Sequence, residues 1–165
     1  MTAGSPTSSF EAKTCPPGEL AARITKLPRP LVFTNGVFDI LHRGHVTYLA
    51  QARALGASLV LALNSDASAR TLEKGEGRPV NPLADRLAVV AALEAVTLVT
   101  WFEESTPLDL ILSVRPDVLV KGGDWKPEAI VGAAEVRAWG GSVHAIPFIH
   151  QRSTSALIDR IRGAT

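Results

Sequence analysis

The feature that most constrains the fold is an alternation of short apolar runs with helix-length segments, continuing from residue 31 almost to the end of the chain. The apolar runs are rich in Val and Leu and lie at 31–34, 59–63, 97–101, 118–121 and 142–147. The helix-length segments lie at 45–55, 82–94, 106–114, 128–139 and 154–163. Apolar strands joined by helices are typical of a parallel sheet covered on both faces. The pattern predicts an α/β fold with a doubly wound, five-stranded parallel sheet, in one domain over 31–165.

The first thirty residues, 1–30, are predicted to form an N-terminal tail and a short helix outside that domain. Residues 1–16 are rich in Ser, Thr, Ala and Pro, a composition that gives a segment little reason to fold alone. A short helix fits 17–26, with Leu20 and Ile24 on one face. The prolines that follow end this helix and lead the chain, in extended form, into the first strand.

Composition excludes several classes of protein and of site. The net charge of +1 over 165 residues gives no general basic surface for nucleic acid or an anionic membrane. Cys15 is the single cysteine, which excludes an internal disulfide and a multi-cysteine zinc site. The sequence shows neither an apolar run of membrane-spanning length nor the pattern of a signal peptide. We therefore expect a cytoplasmic protein that acts on small molecules.

Polar and basic residues follow most of the predicted strands. In parallel α/β sheets, ligands bind beyond the carboxyl ends of the strands, near the point where the strand order reverses. Four of the five segments in that position are rich in Gly, Lys, Arg, His, Ser or Thr. The five segments are 34–45, 64–80, 102–106, 121–127 and 148–155. The sequence thus predicts one binding site made by several strand-end loops.

Two histidines stand where the first strand turns into the first helix. His42 and His45 are three residues apart, a spacing that puts both imidazoles on one helix face, and Gly44 between them lets a ligand approach closely. A helix start adds unpaired backbone N–H groups and the positive end of the helix dipole. This combination favours a polyphosphate site. The alternatives are a metal site, which would need a third ligand, and a local cap with a packed histidine.

Three further segments carry groups suited to phosphate, each with an ordinary alternative. Lys74 and Arg78 belong to a glycine-containing loop that could close on phosphates, or could simply be solvated. The paired glycines after Lys121 allow close approach of a ligand to the backbone, or make a plain turn. The hydroxyl residues 153–155 open the last helix, either as a phosphate seat or as ordinary caps.

At this point the sequence resembles a known family. The run TNGVFDILHRGH, residues 34–45, is similar to the signature of the HxGH nucleotidyltransferase superfamily. Residues 31–163 further resemble the adenylyltransferase domain of bacterial ADP-heptose synthases, through NSDAS, GRPVNPLADR, ALEAV, PDVLVKGGDWKPE and STSALIDRIR. The resemblance implies a Rossmann-like fold and transfer of AMP from ATP to D-glycero-β-D-manno-heptose 1-phosphate, giving ADP-heptose and pyrophosphate for the lipopolysaccharide core.

The resemblance also implies roles for individual residues. It makes His42, His45, Lys74 and Arg78 catalytic. At the nucleotide it implies Thr34, Asn35, Gly36, Phe38, His42, Gly44, His45, Lys121, Gly122, Arg152, Ser153, Thr154 and Ser155. At the acceptor it implies Asp39, Asn64, Asp66, Lys74, Arg78, Arg86, Asp124 and Trp125. The alternatives are a turn cap for Asp66, a surface position for Arg86 and a lid over the core for Trp125. Asp39 would orient the sugar phosphate or hold a metal-bound water.

The implied reaction is a direct in-line displacement at the α-phosphorus, with positioning and charge neutralisation as the sources of catalysis. Mg²⁺ would bridge the phosphates with water and phosphate ligands, and protein metal ligands are not expected. The resemblance suggests a homodimer that works after a separate heptose kinase. Two alternatives remain open: a cytidylyltransferase for a polyol phosphate such as glycerol 3-phosphate, and a non-catalytic nucleotide-binding module.

Overall fold

A computed structural model describes residues 9–72, 77–150 and 153–163 of the chain. The strands are β1 (Leu31–Gly36), β2 (Ser58–Asn64), β3 (Leu98–Phe102), β4 (Val118–Gly122) and β5 (Ser142–Ile146). The helices are α1 (Pro17–Ile24), α2 (Arg43–Arg53), α3 (Asp66–Arg70), α4 (Leu83–Ala91), α5 (Leu108–Val114), α6 (Ala133–Ala138) and α7 (Thr154–Ile161). Short 3₁₀ turns occupy Glu11–Lys13 and Pro127–Ala129.

The five strands form a parallel sheet in the order β3-β2-β1-β4-β5. β1 pairs with β2 over its whole length, from Leu31 opposite Ser58 to Gly36 opposite Leu63, and pairs with β4 on its other side. The chain therefore moves outward from β1 to β3 and then returns to the far side of β1. This confirms the predicted fold class and puts the switch in strand order between β1 and β4.

Both faces of the sheet are covered, as the apolar strands predict. One core cluster contains Leu31 and Phe33 with side chains of α1, α5 and α6. The other contains Val32 with side chains of α2 and α4. Successive residues of β1 enter opposite clusters because side chains alternate along a strand. Helices α2 and α4 thus cover one face of the sheet, and α1, α5 and α6 cover the other.

The described part of the N-terminal segment, residues 9–30, packs on the sheet domain. The predicted short helix is present as α1, whereas the described part of the predicted tail, 9–16, is attached to the sheet instead of being free of it. Cys15 has no exposed surface, and its N–H donates to the Val99 carbonyl at 2.8 Å. Thr14 forms a parallel bridge with Val99, and Leu20 and Ile24 of α1 join the core. The polar composition of 1–16 obscured this, because a few buried apolar side chains were enough to attach the segment.

Three helix predictions need correction. Residues 66–70, predicted as loop, form α3, which Ser65 caps by accepting from the Ser68 N–H at 3.1 Å. α4 spans Leu83–Ala91 with Pro82 as its N-cap, and is therefore shorter than the predicted segment 82–94. The segment 128–139 is divided between a 3₁₀ turn and α6, and Gly132 adopts φ +85° between them. Among the helices that the structure describes, each is too short or too polar to span a bilayer.

Candidate active site

The strand-end loops line one cleft of about 770 Å³ at the carboxyl edge of the sheet. That volume is in the range usual for small-molecule sites. From the predicted set it contains Asn35, Gly36, Phe38, Asp39, His42, His45, Asn64, Arg78, Lys121, Gly122, Trp125, Ser153, Thr154 and Ser155. The cleft spans the switch point between β1 and β4. The prediction that separate loops converge at this edge is confirmed for these residues.

His42 and His45 stack on each other at the start of α2. Their ring centroids are 3.9 Å apart at an interplanar angle of 22°. His42 is the N-cap, in extended conformation, and His45 lies in the first turn with its ring 5.1 Å from that of Phe38. The predicted arrangement of the two imidazoles on one face is therefore present.

Gly44 is buried, and its lack of a side chain makes room for the His42 ring. A Cβ at this position would lie 3.0 Å from the His42 ring and 3.5 Å from the His150 carbonyl. The expectation that Gly44 also admits a ligand stays a prediction. Gly36 plays the same part for Phe38, whose ring would be 2.7 Å from an added Cβ.

Asp39 and Arg78 form an ion pair in the cleft wall. Arg78 Nε donates to Asp39 Oδ2 at 2.7 Å, and the two side chains are 11% and 1% exposed. The backbone N–H groups of Val80 and Asn81 also donate to the Asp39 carboxylate, each at 2.9 Å. Burial alone would raise the pKa of Asp39, but these N–H groups and the guanidinium outweigh it and hold the pKa below its ordinary value.

This geometry changes the interpretation of Asp39. Its two carboxylate oxygens accept from Arg78 and from the backbone of the segment before α4, and Asn81 Nδ2 donates to its carbonyl at 2.7 Å. The carboxylate is thus committed to protein donors, not to a sugar phosphate or a metal-bound water. Asp39 is a positioning residue that fixes Arg78 at the cleft.

Arg86 was predicted to contact phosphate, with a surface position as the alternative, and the structure contradicts both. Its side chain has no exposed surface. Nη1 donates to the carbonyls of Val37 and Asn64 at 2.8 and 2.9 Å, and Nε donates to the Asn81 carbonyl at 3.0 Å. Nη2 pairs with Asp66 at 2.7 Å. Arg86 therefore ties together the ends of β1 and β2 and the start of α4.

Asp66 and Thr34 likewise have structural partners. Asp66 opens α3, is paired with Arg86 and does not line the cleft. Thr34 is fully buried, and its hydroxyl is hydrogen-bonded to that of Tyr48 on α2. Burial raises the pKa of Tyr48, which keeps its phenol protonated at this junction. These contacts give Asp66 and Thr34 structural roles, and nothing in the described structure supports the predictions that they touch substrates.

The loop after β4 reaches the switch point. Lys121 Nζ donates to the Asn35 carbonyl and to Asn35 Oδ1, each at 3.3 Å, across the gap between β1 and β4. An added Cβ on Gly122 would lie 2.8 Å from the Phe148 ring. Trp125 is 49% exposed on the cleft, whereas Asp124 is exposed and outside the lining. The prediction for Asp124 is therefore not supported by its position.

The start of α7 enters the same cleft as the histidines. Ser153 caps the helix by accepting from the Ala156 N–H at 3.1 Å, and Thr154 Oγ1 donates to the Ile40 carbonyl at 3.2 Å. Ser155 is exposed on the lining. The predicted cap is thus present, and the phosphate seat stays a prediction that the unpaired N–H groups of a helix start would suit.

Two predicted residues, Lys74 and Arg152, lie outside the described residues. The cleft also contains residues that the sequence did not single out. These are Val37, Tyr48, Leu72, Ser105, Thr106, Pro107, Ala129, Ile130, Val131 and Phe148. The segment after β3 was identified as a strand-end loop, and that position was the one signal available for Ser105 and Thr106.

The donor set does not form a metal cage. Within 9–72, 77–150 and 153–163, no group of three His, Cys, Asp or Glu side chains could hold a metal ion. The carboxylate on the lining, that of Asp39, is occupied by protein donors. A metal that enters with a ligand's own phosphates would need no such cluster.

Residues 33–158 match the model of a family described as cytidylyltransferase-like. The chain belongs to this family. A relative named D-beta-D-heptose 1-phosphate adenylyltransferase, from Bordetella bronchiseptica, is 56% identical over 93% of this chain and 96% of its own length. The bifunctional protein HldE of Hahella chejuensis is 54% identical over 80% of this chain, which spans only 28% of that relative.

Solved structures agree with the family. A lipopolysaccharide core biosynthesis protein of Thermoplasma volcanium aligns with a TM-score of 0.61 and 30% identity, over 74% of this chain and 98% of its own. A pantoate-beta-alanine ligase of Francisella tularensis aligns with a TM-score of 0.57 at 14% identity, over 86% and 68%. The second likeness shows the fold alone. Both agree with the α/β fold described above.

Proposed function

We propose that this protein is an adenylyltransferase that joins ATP and D-glycero-β-D-manno-heptose 1-phosphate, giving ADP-heptose and pyrophosphate for the lipopolysaccharide core. The observation that carries the proposal is the convergence of the His42–His45 stack, Arg78 and the start of α7 on one cleft. These are hydrogen-bond donors and positive groups suited to a polyphosphate. The 56% identity to a relative named for this reaction supports the choice of substrates.

The chemistry needs no nucleophile from the protein. An acceptor phosphate oxygen, already an anion, attacks the α-phosphorus of ATP, and the bond from the α-phosphorus to the bridging oxygen of pyrophosphate breaks. The protein therefore contributes positioning and neutralisation of charge in the transition state. In this proposal His42 and His45 donate to the phosphates, the start of α7 and Lys121 hold the triphosphate, and Arg78 with Lys74 attracts the acceptor phosphate.

Mg²⁺ is proposed as the companion of ATP, held by phosphate oxygens and water. It would supply charge neutralisation on the triphosphate. The Asp39 carboxylate already accepts hydrogen bonds from Arg78 and from the backbone of Val80 and Asn81. This supports an ion held by the phosphates over an ion held by the protein. Trp125, Asn64 and Asn35 on the lining remain proposed substrate contacts, and Arg152 stays a proposed nucleotide contact.

We further propose that the protein is a cytoplasmic homodimer supplied with its acceptor by a separate heptose kinase. These proposals rest on the family resemblance. Sedimentation equilibrium would measure the oligomeric state, and a coupled reaction with a sugar kinase would test the supply of the acceptor.

The decisive experiment measures pyrophosphate release with ATP or CTP, each offered with heptose 1-phosphate and with glycerol 3-phosphate. The proposal expects turnover with ATP and heptose 1-phosphate that far exceeds the other three combinations. A preference for CTP with glycerol 3-phosphate would establish the cytidylyltransferase alternative. Tight ATP binding without pyrophosphate release would establish a non-catalytic binding module.

A further inference from the structure

The loop after β3 lines the cleft but has no part in the chemistry described above. Ser105 and Thr106 are exposed on the lining, and Pro107, the N-cap of α5, is buried beneath them. The residue before them is held in place: Ser68 Oγ donates to the Glu104 carbonyl at 2.7 Å and accepts from Asn64 Nδ2 at 3.0 Å. The two hydroxyls therefore stand on a loop attached to β2 and α3.

A second segment joins this loop to form one wall of the cleft. Gly132 packs so closely on α5 that an added Cβ would lie 2.9 Å from Ile111 Cδ1. This contact brings 129–131 to the side of the sheet on which α5 begins. Val131 is 40% exposed on the lining. The lining residues of 105–107 and 129–131 are hydroxyl-bearing or apolar, and all are uncharged.

The charged and imidazole groups enter from elsewhere. His42, His45 and Arg78 come from segments that lead into α2 and α4, whose side chains pack on the opposite face of the sheet. Lys121 lies at the end of β4, where its Nζ donates to Asn35 at the end of β1. A wall of hydroxyls and apolar groups suits the neutral part of a ligand, since a phosphate would find no positive partner there. The sugar ring of an acceptor or the base of a nucleotide could supply such a part.

The geometry of in-line displacement decides between these two. The attacking and leaving oxygens lie on opposite sides of the phosphorus. The triphosphate seat at the start of α7 follows β5, at one end of the sheet, and the histidines follow the central strand β1. If pyrophosphate leaves toward β5, the attacking sugar phosphate enters from the end formed by β2 and β3. That end carries Arg78 and, beyond it, Ser105 and Thr106.

We propose that Ser105 and Thr106 form the subsite for the neutral polyhydroxyl part of the acceptor sugar phosphate, with Val131 as its apolar side. The inference rests on the proposed adenylyl transfer and deepens it by assigning selection of the acceptor to the loop after β3. Each hydroxyl can donate one hydrogen bond and accept two, which matches the hydroxyls of a sugar. A site that hydrogen-bonds a substrate hydroxyl also rejects analogues that lack it.

The test compares S105A, T106V and the double variant S105A/T106V with the wild type, varying heptose 1-phosphate and ATP separately. We expect the KM for the acceptor to rise by about tenfold in the double variant, the equivalent of one to two lost hydrogen bonds. The KM for ATP should stay unchanged. Ser113 is exposed on α5 and outside the lining, so S113A is the matched control. S155A should show the reverse pattern, with the KM for ATP raised.

A deoxy analogue of the acceptor gives a second measurement, the preference for heptose 1-phosphate over the analogue. This preference would not change if Ser105 and Thr106 only supported the structure of the loop. The wild type should use heptose 1-phosphate better than the analogue lacking the contacted hydroxyl, and the double variant should lose that discrimination. A raised KM for ATP with an unchanged KM for the acceptor would overturn the assignment, as would no change in either. If the wild type itself releases no pyrophosphate with heptose 1-phosphate, the proposed function fails and this subsite fails with it.

Discussion

Arg78 Nε donates to Asp39 Oδ2 at 2.7 Å, joining the loop after β1 to the segment that precedes α4. The two residues are 39 positions apart in the chain. Because only 1% of the Asp39 side chain is exposed, the ion pair is little screened by solvent. Asp39 thereby holds a cationic side chain at the cleft.

Replacing Asp39 by Asn should therefore impair both stability and catalysis. The amide retains one acceptor oxygen but brings an NH₂ group against donors, so we expect a loss of about 3 kcal/mol in the free energy of unfolding. The KM for the acceptor should rise because Arg78 is released. Urea unfolding and steady-state kinetics measure the two effects. D109N, at an exposed site on α5, is the control, and equal behaviour of the two variants would refute the role of Asp39.

The same carboxylate predicts a pH dependence of stability. The pKa of Asp39 is lower in the folded protein than the value of about 3.9 for an unfolded chain. Between these two values the unfolded state binds more protons, so stability rises with pH in that window. The contribution of Asp39 is complete above about pH 4 and is lost as the pH falls through the folded pKa. The difference in unfolding free energy between the wild type and D39N should therefore shrink as the pH falls below about 4. A difference that stays constant down to about pH 2 would contradict this role of Asp39.

Arg86 should behave as a structural residue. Substitution by Met leaves the carbonyls of Val37 and Asn64 buried without their donor and removes the partner of Asp66. We expect a loss of about 3–5 kcal/mol in the free energy of unfolding. Arg137, exposed on α6, offers a matched control, since R137M should change stability by less than about 0.5 kcal/mol. A stable R86M variant with a selectively raised KM for the acceptor would instead support the predicted phosphate contact.

His45 should contribute mainly to turnover. Loss of one donor to the developing charge typically costs about 10²–10³ in rate, so we expect H45A to lose that much pyrophosphate release. His144 is exposed on β5, outside the cleft lining, and H144A should retain normal activity. Equilibrium binding of ATP distinguishes a lost transition-state contact from a lost binding contact. Near-normal turnover of H45A would refute the proposed mechanism.

The sheet and the location of the cleft were predictable because their signals are local. β1 to β5 appear within one or two residues of the predicted runs, since continuous Val and Leu segments have few other stable placements. The parallel arrangement puts every strand-end loop on one edge. The stacking of His42 and His45 follows equally from a three-residue spacing at a helix start.

Several residue roles were not predictable from local pattern. Arg86 looks like an ordinary surface arginine on α4, and its burial depends on where the carbonyls of Val37 and Asn64 end up. Ser105 and Thr106 are residue types common in any loop. The attachment of Cys15 to β3 depends on a backbone partner, Val99, that is far away in the chain.

The sequence by itself determined the fold class, the edge that carries the site and the imidazole pair, because hydrophobic period and short spacings act within a few residues. Only the tertiary structure decided which charged side chains face the cleft and which are paired inside the protein. Asp39, Asp66 and Arg86 are satisfied by partners from other elements. Burial makes an unpaired charge costly, so each charge binds the nearest partner that packing supplies, and sequence distance does not reveal that partner.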